Sequence, residues 1–181
     1  MTPRARKCKV CTEPFVPRQP MQRVCGIDCA RTEAVRVREK AERKEDKARR
    51  ERIKTRTDWL KEAQAAFNAY VRARDAQMGC ICCGRPLSGS EVGGSFDAGH
   101  YRSVGSAPHL RFDEDNCHGQ TKQCNRWGAG RAVDYRRGLI ERIGLEAVER
   151  IEADQTPRKW SIDELKDIKT LYTRKAKELK T

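Results

Sequence analysis

Hydrophobic residues recur at helical spacing in two regions of the chain. In the first region, apolar side chains share one face of the pattern and polar side chains share the other, which predicts an amphipathic helix. Thr57 or Asp58 can cap the start of this helix. Its apolar positions are Leu60, Ala63, Phe67, Tyr70 and Val71.

The second region is the C-terminal third, which is also predicted to be helical. Gly144 divides its apolar positions, and Pro157 ends the region. Ser161 and Glu164 have the spacing of a capping box, so a last helix is predicted from there to about Lys180. The apolar positions are Val133, Leu139, Ile140, Ile143, Leu145, Val148 and Ile151.

A charged segment precedes the first amphipathic pattern. Neither Gly nor Pro occurs from Ala30 to Met78, and residues 36–56 are almost entirely charged residues or Ala. Such a segment has high helix propensity, and one unbroken helix over its 49 residues would span about 73 Å. Two interpretations stay open: a solvated spacer helix, or a basic surface that follows DNA phosphates.

The net charge of the chain indicates which classes of molecule it can bind. The 181 residues include 39 Lys plus Arg and 26 Asp plus Glu, a formal net charge of +13, which favours nucleic acid or an anionic membrane. A membrane-surface helix is disfavoured because residues 36–56 lack bulky apolar anchors. We find no long apolar stretch and no signal peptide, so a cytoplasmic protein is expected. With 37% hydrophobic and 36% charged residues, we expect small cores joined by solvated helix.

Nine cysteines occur in closely spaced groups. An odd count without a secretion signal argues against disulfides, whereas thiolates two or three residues apart can share one Zn²⁺. The N-terminal group predicts a zinc site that occupies roughly residues 6–29; its ligands are Cys8, Cys11, Cys25 and Cys29. Whether this module is a structural staple or contacts DNA or protein stays open.

A second cysteine group encloses the residues with catalytic potential. The run from 79 to 130 starts at Cys80-Ile81-Cys82-Cys83 and is rich in His, Asp, Asn and Gly between its cysteines. A knuckle, a strand that ends in His, a loop that ends in Asn and a helix that opens at Cys-Asn predict a zinc-stapled hairpin and helix. This is the layout of HNH, or ββα-metal, nucleases.

The ordered motifs resemble the NinG/Rap recombination endonucleases of lambdoid phages over essentially the whole chain. They are the double cysteine pair, residues 97–102, 110–112, Asn116, Cys124-Asn125 and Arg158 to Trp160. The resemblance implies a nuclease that cuts branched intermediates such as D-loops and Holliday junctions with a divalent metal. A phage protein of this kind would act in the bacterial host cytoplasm.

Phosphodiester hydrolysis needs an activated water and a cation, which leads to roles for individual residues. His100 is the predicted general base, or else a structural or zinc-binding histidine. Asp97 and Asn125 are predicted to hold the catalytic Mg²⁺ or Mn²⁺, with Asn125 as a plain turn cap in the alternative. Asn116, at the position of the central HNH asparagine, is predicted to brace the loop and orient His100.

The geometry of a β-strand limits whether Asp97 and His100 can share one metal ion. Residues 97 and 100 of a regular strand point to opposite faces, so a shared metal requires a bulge at Ala98-Gly99. If the strand is regular, Asp97 is the wrong residue. The substitute carboxylates are then Asp113, Glu114 and Asp115.

The second zinc site departs from the family pattern because position 121 is Thr instead of Cys. Its predicted ligands are Cys80, Cys83, Cys124 and, as the fourth, Cys117. His118 is the alternative fourth ligand, and it is also a candidate for the catalytic metal. Cys82 is interpreted as a spectator thiol, and His109 as a loop residue that can touch phosphate.

The sequence therefore predicts an α+β, mostly helical protein with an HNH-like core, two structural Zn²⁺ and a catalytic Mg²⁺ or Mn²⁺. The predicted segments are a zinc module at 1–30, a basic helical linker at 31–57 and a nuclease domain with flanking helices at 58–181. The alternative function is a non-catalytic zinc-finger DNA-binding protein, an accessory factor in recombination. A homodimer and contacts with phage or host recombination proteins are compatible with either function. The predicted DNA-binding residues are Arg49, Arg50, Arg52, Arg102 and Arg126.

Overall fold

The computed structural model describes residues 4–87, 96–127 and 131–179. These residues form a mixed, mostly helical structure. Its strands are β1 (Arg6–Lys7), β2 (Pro14–Phe15), β3 (Phe96–His100) and β4 (Cys117–Thr121). Its α-helices are α1 (Ile27–Ile53), α2 (Arg56–Asp75), α3 (Ala132–Ile143), α4 (Leu145–Ala153) and α5 (Ile162–Glu178). Pro108–Leu110 forms a 3₁₀ turn, and Gln123–Trp127 a π-helical turn.

The chain divides into two compact units, Met1–Lys54 and Thr55–Thr181. The predicted boundary at residue 30 falls inside α1, and the one at residue 57 falls inside the first turn of α2. The three-segment division stays a prediction. No helix among the described residues is both long and apolar enough to span a bilayer.

Helix α1 is exposed along its whole length. None of its residues is buried, so its stability comes from helix propensity and local ion pairs such as Arg38–Glu42 and Glu39–Arg43. Its 27 residues span about 40 Å.

The segment without Gly or Pro forms two helices rather than one unbroken helix, in agreement with the predicted helix start near Thr57 or Asp58. Lys54 has an extended backbone, and the Thr55 hydroxyl accepts the Asp58 N–H while the Asp58 carboxylate accepts the Thr55 N–H. This capping box starts a new helix. The cap is therefore Thr55 rather than Thr57 or Asp58, although the start of the helix is close to the predicted position.

The main core of the second unit lies between α2 and α5. Phe67 packs edge-to-face against Tyr172 and Phe112, with ring centroids 4.8 and 5.8 Å apart. Ser161 and Glu164 form the predicted capping box at the start of α5. Helix α2 also packs on β3 and β4, so the core supports the hairpin from one side.

Strands β3 and β4 are antiparallel and pair without interruption from Phe96↔Thr121 to His100↔Cys117. The prediction of a bulge at Ala98-Gly99 is wrong. A continuous ladder keeps the alternation of side chains, so Asp97 and His100 lie on opposite faces of the hairpin.

Helices α3 and α4 form a smaller core with the cysteine knuckle. Gly144 separates them with a φ of +86°, as its predicted role as a break requires. Ile81 of the knuckle packs with Tyr135, Leu139 and Val148. These helices therefore fix the knuckle against the hairpin.

Candidate functional site

The N-terminal cysteines converge as their spacing predicted. The sulfurs of Cys8, Cys11, Cys25 and Cys29 all lie within 4.8 Å of one another. The turn after β1 supplies the first pair, and the second pair lies just before α1 and in its first turn. Such a group can hold a metal ion such as zinc.

Backbone donors favour the thiolate of one member of this group, Cys8. Burial raises the pKa of Cys8, but N–H groups of Cys11, Val10 and Cys25 outweigh it and lower that pKa to about 6. A thiolate is the form that binds metal. A hydrogen bond with Cys25 raises the pKa of Cys29 to about 12, so zinc binding would release a proton there. The site has the four sulfur ligands that zinc takes.

A second group joins Cys80, Cys83 and Cys124, whose sulfurs also lie within 4.8 Å of one another. Cys80 and Cys124 are buried. The Cys80 thiolate is stabilised by Cys82 and by backbone N–H groups that include that of Thr121, which lowers the pKa of Cys80 to about 3 against the effect of burial. These three cysteines can hold a metal ion.

Cys117 is not the fourth ligand in this arrangement. It faces the α2–α5 core, where it packs with Phe67 and its sulfur lies 3.8 Å from His100 Nδ1. Burial raises the pKa of Cys117. The prediction failed because Cys117 pairs with His100 across the hairpin and so shares its face of the sheet.

His118 is held away from the sulfurs by other partners. Its Nδ1 lies 3.1 Å from Arg74 Nη2, and its Nε2 lies 3.1 Å from the Asp115 carbonyl oxygen. Burial and the charges of Arg74 and Arg142 lower the pKa of His118 to about 4. In this arrangement His118 is a buried structural residue, and both predicted ligand roles, to zinc and to the catalytic metal, are corrected.

Cys82 is the extra thiol of the knuckle. Its sulfur accepts a hydrogen bond from Gln120 Nε2 at 2.9 Å, and it is outside the group of three. This placement agrees with its interpretation as a non-ligand, but its thiol also stabilises the Cys80 thiolate, so it is not a spectator of the site.

His100 ends β3 and is half-buried beside Phe67. Its Nε2 lies 2.9 Å from the Arg111 carbonyl oxygen. A carbonyl oxygen only accepts hydrogen bonds, so Nε2 carries the proton and Nδ1 keeps its lone pair. Burial lowers the pKa of His100, so the neutral ring with a basic Nδ1 prevails near pH 7.

Asn116 is buried beneath the loop that joins the two strands. Its Oδ1 accepts the Arg102 N–H at 2.8 Å, and its Nδ2 donates to the carbonyls of Arg102 and Leu110 at 3.0 and 3.1 Å. These are the predicted loop-bracing contacts. Because Arg111 follows Leu110, the same brace places the carbonyl that binds His100.

Asp97 and Asn125 come together on the other face. Asn125 Nδ2 donates to Asp97 Oδ2 at 3.0 Å, and Arg126 donates to both carboxylate oxygens of Asp97 at 2.8 and 3.0 Å. Despite the cost of burial, Arg126 and Asn125 lower the pKa of Asp97. Among the described residues this trio forms an ion-pair cluster, and no group of three metal-ligating side chains surrounds Asp97.

The acidic loop, residues 113–115, is held by contacts with other parts of the protein. Asp113 accepts backbone N–H groups of Asp115 and Asn116. Glu114 accepts from Tyr70 and also contacts Lys175. Asp115 pairs with Arg150 at the surface. Since each carboxylate has a protein partner, the loop is bound to the protein rather than open to a cation.

The predicted DNA-binding arginines fall into two classes. Arg49, Arg50 and Arg52 project from exposed α1. Arg102 instead donates to the carbonyls of Ile151, Glu152 and Asp154 near the end of α4, as well as to Gln155. It therefore caps a helix, and Arg126 is engaged with Asp97. His109, predicted to touch phosphate, lies 3.0 Å from the Asp154 carbonyl through its Nε2.

Two buried residues that hold the hairpin were not predicted from the sequence. Asp75 is fully buried at the end of α2, where it accepts the Gly119 N–H at 2.6 Å and pairs with Arg74. Tyr135 donates its hydroxyl to the Gly99 carbonyl and accepts the His118 N–H. Asp75 stands at an apolar-face position of the α2 pattern, which is the signal that could have identified it.

Comparison with known proteins gives a consistent result. The family model described as "Bacteriophage Lambda NinG protein" matches residues 1–181. The chain is 44% identical to protein ninG of Escherichia phage 933W, with 98% of this chain and 95% of the relative covered. For protein ninG of Salmonella phage P22 the values are 44%, 97% and 94%, and for that of Escherichia phage lambda 43%, 98% and 95%. No solved structure matches the chain. The full-length family match and these relatives establish that the chain belongs to the NinG family of phage proteins.

Proposed function

We propose that this protein is a metal-dependent endonuclease that cuts branched DNA such as D-loops and Holliday junctions, with His100 as general base. The observation that supports this most directly is the contact between His100 Nε2 and the Arg111 carbonyl. It selects the tautomer whose Nδ1 can accept a proton from water.

The chemistry requires a neutral imidazole near pH 7. Burial lowers the pKa of His100, so protonation does not remove the base at that pH. The Nδ1 side faces Cys117 across the hairpin, at a sulfur distance of 3.8 Å, which is longer than a strong hydrogen bond. The Cys117 thiol can donate a weak hydrogen bond to Nδ1, and an attacking water would have to replace this contact before Nδ1 could take its proton.

A divalent Mg²⁺ or Mn²⁺ would neutralise charge on the leaving oxygen. Asp97 does not share a face with His100, so the two residues do not jointly hold this ion in the described arrangement. In the proposal, Asp97 and Asn125 position Arg126. Asp97→Asn is expected to leave the metal concentration needed for cleavage unchanged, and a higher requirement would restore Asp97 as a ligand.

The test of the base compares His100→Ala with His109→Ala. Both histidines place Nε2 against a backbone carbonyl, at 2.9 Å to Arg111 and 3.0 Å to Asp154. The two variants therefore remove the same kind of hydrogen bond. Labelled four-way junction, D-loop and linear duplex are incubated with each protein, with and without Mg²⁺ or Mn²⁺.

His100→Ala is expected to reduce the cleavage rate by roughly 10²–10⁴-fold and to keep DNA affinity, because a general base acts in the transition state. His109→Ala is expected to stay near the parental rate. Parental cleavage by His100→Ala would reject His100 as the base. A loss of bound zinc in that variant would identify a structural histidine.

The alternative is a non-catalytic zinc-finger DNA-binding protein that assists recombination. The pairing of Asp97 with Arg126, and of Glu114 with Lys175, favours it, since these carboxylates are engaged by the protein itself. Junction binding by the unaltered protein with no cleavage in either metal would support this alternative and reject the nuclease.

The contribution of α1 to DNA binding is tested by neutralising Arg49, Arg50 and Arg52. The control neutralises Arg31, Arg36 and Arg38, which are also exposed on α1. If the first set meets phosphates, it alone should weaken binding and reduce the salt slope by about one for each phosphate that is no longer neutralised. Equal effects in both sets would indicate a general influence of charge, and no effect would indicate a spacer helix.

A further inference from the structure

Three four-residue turns in this protein share one backbone contact. In the turns that begin at Cys8 and Cys80, the N–H of the fourth residue donates to the sulfur of the first. In the turn from Thr121 to Cys124, the Cys124 N–H points at Thr121 Oγ1, 3.3 Å away. The threonine oxygen therefore takes the place that sulfur has in the other two turns.

This oxygen also lies beside the Cys80 sulfur, one of the group of three. Thr121 Oγ1 is 3.8 Å from Cys80 Sγ, and the Thr121 N–H donates to the same sulfur at 3.3 Å. Around a tetrahedral Zn²⁺, two sulfurs at about 2.3 Å are about 3.8 Å apart, and a sulfur and an oxygen at about 2.0–2.2 Å are about 3.5–3.7 Å apart. The hydroxyl is thus within about 0.3 Å of the separation from Cys80 that a fourth, oxygen corner requires.

We propose that the second metal site is a three-sulfur, one-oxygen centre made by Cys80, Cys83, Cys124 and the Thr121 hydroxyl. Cys117 faces the α2–α5 core, and His118 is held at Arg74 and Asp115. The Cys82 sulfur is close to Cys80, but it is outside the group of three and accepts a hydrogen bond from Gln120. The proposal is independent of nuclease activity, because it concerns ligand chemistry alone.

The two metal sites then differ in charge and strength. Zn²⁺ with four thiolates carries a net charge of about −2, and with three thiolates and a neutral hydroxyl about −1. Thiolate is a softer and stronger ligand for Zn²⁺ than a hydroxyl. The N-terminal site should therefore keep its metal longer than the second site when a chelator competes.

Cadmium-113 NMR of the full chain can read the two sites separately, because each bound Cd²⁺ gives its own resonance and oxygen ligands move it upfield. The unaltered protein should give one resonance in the four-sulfur region and a second one upfield. Thr121→Cys should move the second resonance into the four-sulfur region and leave the first in place. Two four-sulfur resonances in the unaltered protein, or no movement in Thr121→Cys, would overturn the proposal.

Zinc competition with a chelator tests the oxygen itself. Relative to the unaltered protein, Thr121→Cys should strengthen the second site and Thr121→Val should weaken it, each by about tenfold or more. Thr121→Ser keeps the hydroxyl and is the matched control, expected within a few-fold of the parent. Equal affinities for Thr121→Val and Thr121→Ser would show that the hydroxyl is not a ligand.

Discussion

The two compact units hold their folds by different means. In residues 4–54 the buried side chains are Cys8 and Pro17, and α1 has none. The second unit has an aromatic and aliphatic core between α2 and α5 that includes Phe67, Tyr172 and Leu165. A cysteine group replaces a hydrophobic core in the first unit, whereas in the second it adds to one.

The two units are stabilised differently because their amino-acid compositions differ. The α1 sequence is dominated by charged residues, which gain little by burial. Metal binding can supply folding free energy where apolar surface is scarce. The same kind of cysteine group should therefore have very different effects on the stability of the two units.

Removal of the metal is expected to produce the largest difference in stability between the two units. Binding of structural zinc contributes about 10–16 kcal/mol to small zinc modules, so a strong chelator should unfold residues 6–26 and leave α2 and α5 folded. Hydrogen exchange by mass spectrometry should show reduced protection at contacts such as Lys9 N–H to the Arg23 carbonyl. Unchanged protection there after complete metal removal would show that the first unit folds without metal.

Phe67→Ala tests the hydrophobic side of the comparison. Phe67 is fully buried, and its truncation should cost the second unit about 3–5 kcal/mol of unfolding free energy. Val37→Ala on α1, where the side chain is 57% exposed, is the control and should change stability by less than about 0.5 kcal/mol. Denaturant unfolding measures both, and similar losses would contradict the comparison.

Acid should weaken the second unit before carboxylates titrate. The pKa of His118 is lowered from 6.5 to about 4 in the folded state, so between these values the unfolded chain binds more protons. Stability should therefore fall as the pH is lowered from 6.5 to about 4. His118→Gln should reduce the slope of stability against pH in this range, and the lowered pKa of His100 should preserve part of it. Urea titrations followed by the signal of buried aromatics measure this slope, and an unchanged slope in the variant would contradict the role of His118.

Thr55→Ala should produce the smallest effect. Removal of the capping hydroxyl should cost about 1 kcal/mol of unfolding free energy. Thr57→Ala alters the predicted cap next to it and should be close to neutral. A larger loss of stability in Thr57→Ala than in Thr55→Ala, measured by thermal unfolding, would instead support a helix cap at Thr57.

Local spacing accounts for the features that were predicted correctly. Ser161 and Glu164 cap α5, Gly144 separates α3 from α4, and the N-terminal cysteines converge. Each depends on residues a few positions apart or on one short turn. Membership of the NinG family was likewise visible in the order of motifs along the chain, and the whole-chain match supports it.

Tertiary structure decided which side chains meet at the candidate site. Strand pairing without a bulge separates Asp97 from His100 and turns Cys117 toward the core, and Arg102 caps α4 from far away in sequence. Sequence alone determined the start of α5, the convergence of the N-terminal cysteines and the overall charge, because backbone geometry and side-chain chemistry over a few residues specify them. Strand register, the sheet face on which each side chain lies and the partners of buried polar groups depend on contacts between distant segments. Only the folded structure decides them.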